Sequence, residues 1–469
     1  MLFTEFKFFL VLPIIFAVYW LLPNRLAWLR RAFLLMASYL LYMNFCPAYA
    51  LLLLAVSLVT FGGALLLERG SIAKRGGVLF ACVALVPLFL FKYYNFINES
   101  VFGVLSLVHL RFQLPGLNWA IPVGVSFFTF QALGYFLDVY HKRIPAEKNP
   151  LDYLLFVSFF PQIASGPISK AQELLPQIKK LAPFDYSRAA SGFRFFLWGL
   201  FLKVAVADRV GLYVSLVLDH YLEFSGLNCL FASFLYSIQI YADFAGYSFM
   251  AVGVGKFLGF DLVNNFNHPY FSVSVTDFWR RWHISLSRWL KDYVYIPLGG
   301  NRCGKARNYL NIMATFLVSG IWHGANWTFV VWGLVHGACQ VVEKALNLHK
   351  GTPAGFARAL RIALTFVVIS FAWVLFRSPS LGDACNIIGE IVTFYKGLDF
   401  SLTGKGMLAY FLIALVPFIL FEVLHEFYPA AYAALMKRSA IRWAVYVVVS
   451  ALILLIGVLD GSQFIYANF

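Results

Sequence analysis

Residues 309–335 read YLNIMATFLVSGIWHGANWTFVVWGLV. Two apolar, Trp-bearing runs flank one ionisable ring, His323. Such runs belong in a bilayer, where a polar ring is costly and is a functional candidate by default. If a helix starts near Asn308, His323 lies about 22 Å along it, past the middle of a roughly 30 Å hydrocarbon core. Gly320 and Gly324 flank it and permit close backbone approach. Ser319 at i−4 and Asn326 at i+3 are placed either to share its face and fix its tautomer or simply to pack, with Trp322 as a further supporting residue. His336, thirteen residues on, lies about 220° around a straight helix from His323 and is predicted to be structural.

The rest of the chain carries the same signature. Of its 469 residues 61% are hydrophobic and only 13% are charged, where an ordinary soluble domain has about 25% charged. Apolar stretches of spanning length recur from end to end. The reading is an all-α polytopic membrane protein of about 11 transmembrane helices. Re-entrant and interfacial helices complete it around a central funnel. It forms a single domain over 1–469, with N-terminal spans over 1–150, a catalytic core over 151–345 and C-terminal spans over 346–469. The first run, 7–22, lacks a basic leader and a small-x-small cleavage site, so it is expected to stay as a span. The six cysteines share no metal-ligand spacing, and neither zinc nor a required disulfide is expected. The net charge of +15 reflects basic cytoplasmic loops and not nucleic-acid binding.

Loop charges set the orientation. Arg25, Arg30 and Arg31, then Arg69, Lys74 and Arg75, then His141–Lys148 are basic, while 43–49 is uncharged and 97–118 carries only Glu99 and Arg111. This alternation puts the N-terminus outside. Segment 151–170 is apolar for about a dozen residues and is broken by Pro161, Gly166 and Pro167; it is predicted to be re-entrant.

Residues 277–293, DFWRRWHISLSRWLKDY, place Phe278, Trp279, Trp282, Leu286, Trp289, Leu290 and Tyr293 in a stripe roughly 120° wide if the helix is continuous. Arg280, Arg281, Arg288 and Lys291 face the other way. Thr276 is the expected cap and Asp277 suits the positive helix end. This predicts an interfacial helix with His283 at the edge of its apolar stripe. Arg302, Lys305 and Arg307 follow. Two compatible roles are open for the basic set: anchoring to anionic lipid, or docking the phosphates of an acyl thioester donor through Arg280, Arg281, Arg288, Lys291 and Arg302. Asp243, in SIQIYADFAGYSF, is expected to pair with a basic group or to orient a histidine. Asp208 is read as a span-end cap. There is no G-x-S-x-G, no catalytic carboxylate pair and no phosphate-binding glycine loop.

With these motifs in hand, the chain resembles the membrane-bound O-acyltransferase family, in the branch of the alginate O-acetyltransferase membrane subunits. The resemblance is carried by residues 156–170, 241–248, 277–302, 319–333 and 371–380, and by the terminal FIYANF (464–469). It implies a ring of spans around a thinned centre, with His323 as the essential histidine and His283 as the second, on the cytoplasmic side. It implies acetyl-CoA, or another acyl thioester such as one on a carrier protein, as donor substrate, with no bound cofactor. It also implies an extracytoplasmic transferase as partner and the bacterial cytoplasmic membrane as location. D-alanylating relatives use a carrier protein, but their chains are shorter, and the extra spans after about residue 400 favour the alginate-like branch.

The chemistry has a physical rationale. The phosphates of CoA cannot be desolvated to cross lipid. A histidine reached from both faces moves the acyl group alone. Neutral His323 would act as general base on the acceptor hydroxyl, and burial keeps the ring neutral. The rival readings are a polymer transporter or a secretion scaffold, neither of which needs His323 for chemistry.

Overall fold

The computed structural model describes residues 3–110, 113–348, 353–393 and 405–458, with Gly351 and Gly397. Among these, every regular element is a helix. The terminal FIYANF lies outside the described residues. The chain folds as two compact units.

Among the described residues, the first unit holds those from 3 to 193 and 251–263. It contains α1 (Phe6–Leu21), α2 (Ala27–Met43), α3 (Pro47–Glu68), α4 (Lys74–Leu88), α5 (Tyr94–Leu107), α6 (Val125–Tyr140), α7 (Pro150–Ser158), α8 (Phe160–Ile163) and α9 (Ala171–Lys179). A widened π turn at 89–93 joins α4 to α5 without a break. The segment read as re-entrant breaks at Phe159, between α7 and α8. Residues 155–169 are buried throughout. The break is satisfied locally, because the Phe160 N–H donates to Ser38 Oγ at 3.1 Å. Irregular backbone at membrane depth needs such cover. Arg31 and Asp152, at 2.6 Å, tie α2 to α7.

Among the described residues, the second unit holds 194–250 and those from 264 to 458. The chain enters it within α10 (Tyr186–Leu200) and continues through a π turn at 201–207 into α11 (Asp208–Asp219). The long α12 (Gly226–Phe257) follows, then α13 (Val275–Arg281), α14 (Ile284–Leu290), α15 (Lys305–His323), α16 (Trp327–Ala345), α17 (Gly355–Arg377), α18 (Leu381–Thr393), α19 (Lys405–Phe427), α20 (Pro429–Lys437) and α21 (Ser439–Ile456).

Among the described residues, five helices are long and apolar enough to cross a membrane: Pro47–Glu68, Lys74–Leu107, Gly355–Arg377, Ala409–Phe427 and Ser439–Ile456. Their outward apolar side chains, such as Leu51, Leu412 and Leu454, are exposed. The protein is therefore a multi-pass membrane protein, whose solvent for those faces is lipid.

The apolar run over 309–335 is not one helix. α15 and α16 form a tight hairpin, with His323 as the last residue of α15. Glycine makes the contact. A Cβ on Gly320 would lie 2.3 Å from Phe329 O, and one on Gly333 would lie 2.4 Å from Phe316 O. The helices meet backbone to backbone, as small residues allow in membranes.

Candidate functional site

All residues of the site belong to the second unit. Its base is an elbow between α13 and α14. The continuous interfacial helix expected over 277–293 is broken there: α13 ends at Arg281, and His283 takes a left-handed conformation (φ 43°, ψ 54°) before α14 begins. Segment 265–267 holds the break. Ile284 N–H donates to Asn265 O at 2.9 Å, Ser285 N–H to Asn265 Oδ1 at 3.1 Å, and Asn267 N–H to Arg281 O at 2.9 Å. The helix cap is Ser274, not Thr276: Ser274 Oγ accepts Asp277 N–H at 3.0 Å. Glu343 of α16 accepts the Thr276 N–H at 2.9 Å and its hydroxyl at 2.8 Å. A carboxylate at the positive end of α13 is thereby fixed to the hairpin.

The Trp face of this segment is buried in protein and does not lie on lipid; Trp282 is 0% exposed and Trp279 6%. His283 is fully buried, with its ring 4.6 Å from Phe244 and 5.8 Å from Trp322, centroid to centroid. His323, 1% exposed, packs against Trp322 at 4.9 Å, Trp332 at 5.0 Å and Phe376 at 5.3 Å. Trp322 thus stands between the two histidines. His336 does not obey straight-helix geometry, because it sits on the other arm of the hairpin. Trp332 touches His323 on one side and His336, at 4.7 Å, on the other. His336 Nδ1 accepts a hydrogen bond from Trp279 Nε1 at 3.2 Å. Indole only donates, so Nδ1 carries no proton.

A cavity of about 370 Å³ lies between the elbow and the hairpin. Arg280, Lys291 and Lys344 line it, and no carboxylate is among its lining residues. On α15 the wall is Ile312, Thr315, Phe316 and Ser319. Residues 312, 316, 319 and 323 fall within roughly 60° on a helix. The cavity therefore runs along the face of α15 that ends in His323 and stops one turn short of it. A ring open to water from both faces is not what this conformation presents.

The sequence-derived set divides accordingly. Of the five basic residues assigned to donor docking, the cavity takes Arg280 and Lys291. Arg281 is instead paired with Glu426 at 2.8 Å and Asp277 at 3.3 Å. Arg288 and Arg302 are exposed and do not line the cavity. Lys344, which sequence reasoning passed over, joins the lining; its Nζ donates to Asn308 Oδ1. Asn326 does not orient His323. Its side chain caps α16 by accepting Thr328 N–H at 3.0 Å and donates to Pro379 O at 2.8 Å. Ser319 Oγ is buried with no hydrogen-bond partner among the described residues.

Asp243 pairs with a basic group, as expected: Lys203 Nζ lies 2.7 Å from Asp243 and 2.6 Å from Asp208. Asp208 is thus more than a span-end cap. All three side chains are at most 4% exposed. Lys203 sits in the π turn, a frequent mark of function. A Cβ on Gly199 would meet Gly246 O at 2.4 Å, so α10 and α12 touch one turn away and bring the charges together. Asp243 also neighbours Phe244, which packs on His283. A lone Lys in KVAVAD gave no signal of its partners, because the pairing is between distant helices.

Residues 142–380 match the membrane-bound O-acyltransferase family. The chain belongs to that family and is a member of an enzymatic class of acyltransferases. Among its relatives is the protein named Probable alginate O-acetylase of Pseudomonas syringae pv. tomato, 36% identical over 82% of this chain and 74% of the relative. The Peptidoglycan O-acetyltransferase of Helicobacter pylori is 37% identical over 68% of this chain and 65% of that protein. The Teichoic acid D-alanyltransferase of Bacillus subtilis is 28% identical over 62% of this chain and 75% of that protein.

Proposed function

We propose that this protein takes an acetyl group from a cytoplasmic thioester, acetyl-CoA, and delivers it toward hydroxyls of an extracytoplasmic polysaccharide such as alginate. The observation that carries the reading is the basic cavity whose α15 wall leads to His323. Arg280, Lys291 and Lys344 suit the phosphates of a CoA donor, which need charge-assisted hydrogen bonds. The thioester arm would extend along the Ile312–Ser319 face. His323 would take the acceptor proton as general base. His283, across Trp322, would position the donor end of the site. Reaching His323 requires opening of the last turn between Ser319 and the imidazole, a gating step of the kind that admits substrate in many enzymes.

The two O-acetylating relatives above act, by their names, on alginate and peptidoglycan, which favours a glycan acceptor over D-alanyl transfer. A membrane protein of about eleven spans with its N-terminus outside the bacterial cytoplasmic membrane, acting as one domain with an extracytoplasmic transferase, fits this role. The test is polymer acetylation in cells that carry His323→Ala at wild-type membrane abundance. Loss of acetylation is expected. Full acetylation would remove His323 from the chemistry and leave a transporter or scaffold role.

A further inference from the structure

We propose that Ser319 is a catalytic residue, the hydrogen-bond donor that stabilises the oxyanion formed at the thioester carbonyl. The inference rests on the reading of the cavity as a donor site.

Among the serines and threonines that line the cavity, Ser319 stands apart. Thr276 donates to Glu343 at 2.8 Å, Ser287 to Trp282 O at 3.4 Å, and Thr315 to the carbonyl four residues back at 2.7 Å. That last bond is the default for a hydroxyl inside an apolar helix. Ser319 makes no such bond, although the residue is 1% exposed and stands in the cavity wall. A buried hydroxyl without a partner is destabilising, because it has lost its water without gaining an acceptor. An acyl carbonyl placed at that wall would satisfy it.

The spacing fits one reaction. Ser319 and His323 are one turn apart on one face, with Cβ atoms about 5–6 Å from each other. A carbonyl beside Ser319 leaves the attacking oxygen between it and the imidazole. The acceptor oxygen bonds to the carbonyl carbon while its proton passes to His323. The carbonyl π pair moves onto oxygen, and the Ser319 hydroxyl donates to it. Collapse reforms C=O and breaks the C–S bond. The thiolate leaves and takes the proton back from His323, giving ester and thiol. A donor held there in advance, away from water, is worth far more than one in solution.

The experiment uses purified full-length protein in proteoliposomes, with acetyl-CoA as donor, alginate oligosaccharide as acceptor and thiol release as readout. Ser319→Ala removes one oxygen from a buried site and leaves Ile312, Phe316 and the hairpin glycines untouched. Its kcat is expected to fall by about 10²-fold or more, with KM for acetyl-CoA within about twofold. Ser319→Cys, a weaker donor of similar shape, is expected to fall between. An unchanged kcat overturns the proposal, and so does a raised KM at constant kcat, which marks ground-state binding alone. An acetyl adduct on Ser319 in quenched enzyme also overturns it, in favour of a covalent relay. If folded wild-type protein releases no thiol and His323→Ala is indistinguishable from it, the donor-site reading itself fails, and the role of Ser319 falls with it.

Discussion

Replacing Gly320 by alanine puts a methyl group where the structure has another helix's backbone. The new Cβ would lie 2.3 Å from Phe329 O and 3.2 Å from the Cα of Gly333. Neither neighbour is the end of a flexible side chain, so α15 and α16 must separate by about 1 Å to restore contact distance. Overpacking of this kind costs about 1–3 kcal/mol, and a backbone collision belongs at the upper end. Alanine's better helix propensity returns about 1 kcal/mol, leaving a net loss near 2. The larger effect is on chemistry. His323 is three residues on, at the tip of the displaced arm, and a shift of about 1 Å in a catalytic group costs about 10²-fold in rate. Gly337→Ala is the control on the same hairpin. Its nearest neighbours are Met313 Sδ at 3.0 Å and the Cβ of Phe316 at 3.3 Å, and a thioether swings aside easily. Thermal denaturation of the detergent-solubilised variants and thiol release from acetyl-CoA give the two readouts. Gly320→Ala should be less stable and about 10²-fold slower, and Gly337→Ala should match wild type in both. Equal rates for Gly320→Ala and wild type would refute the idea that the glycine contact places His323.

Lys203→Met leaves Asp208 and Asp243 buried without their shared cation, at a cost of about 3–5 kcal/mol; the triple variant with Asp208→Asn and Asp243→Asn should recover most of the lost thermal stability. Arg280→Ala and Lys291→Ala should each raise KM for acetyl-CoA by roughly tenfold or more, the value of one charge-assisted hydrogen bond, while Arg302→Ala leaves it unchanged; the reverse order in steady-state kinetics would move the donor site out of this cavity. His336→Phe should cost about 1–3 kcal/mol by leaving the Trp279 N–H unpaired, with kcat for thiol release within about twofold of wild type. A loss of kcat as deep as that of His323→Ala would make His336 part of the chemistry.

The all-α membrane class and the burial of His283 and His323 were legible because composition and burial cost act locally. A titratable ring between Trp-rich apolar runs signals itself wherever those runs pack. Two of the failures share a different cause: the readings of 277–293 and of 319–336 each assumed that one helix continued. A helical wheel over 277–293 keeps Arg280 and Arg281 together as surface charge. They are about 100° apart on any helix, the seven-residue α13 included, and the elements packed against α13 send them to different neighbours. Arg280 therefore enters the cavity, while Arg281 is drawn into the pair with Glu426 of α19. Beyond His283 the left-handed residue resets the phase, so the wheel says nothing about which basic residues of α14 and the following turn face the same space.

The hairpin makes the same point with a functional consequence. On one straight helix His336 points away from His323. The turn at 324–326 reverses the chain, and Trp332 then touches both rings. Nothing in the apolar period marks that reversal, since both arms are equally hydrophobic. The glycines do mark it, but only as a pair: Gly320 and Gly333 have meaning once they face each other. The reversal also decides what His323 can do. A residue in the middle of a spanning helix presents its side chain to one sector. At the end of α15 it meets Trp322 on its own helix, Trp332 from the returning arm and Phe376 from α17. Rings from three helices leave the α15 face below it, through Ser319, as the side on which the basic cavity approaches. A donor that entered past Trp322, Trp332 or Phe376 would have to displace a buried aromatic ring, and each such ring carries far more apolar contact than the single turn at Ser319.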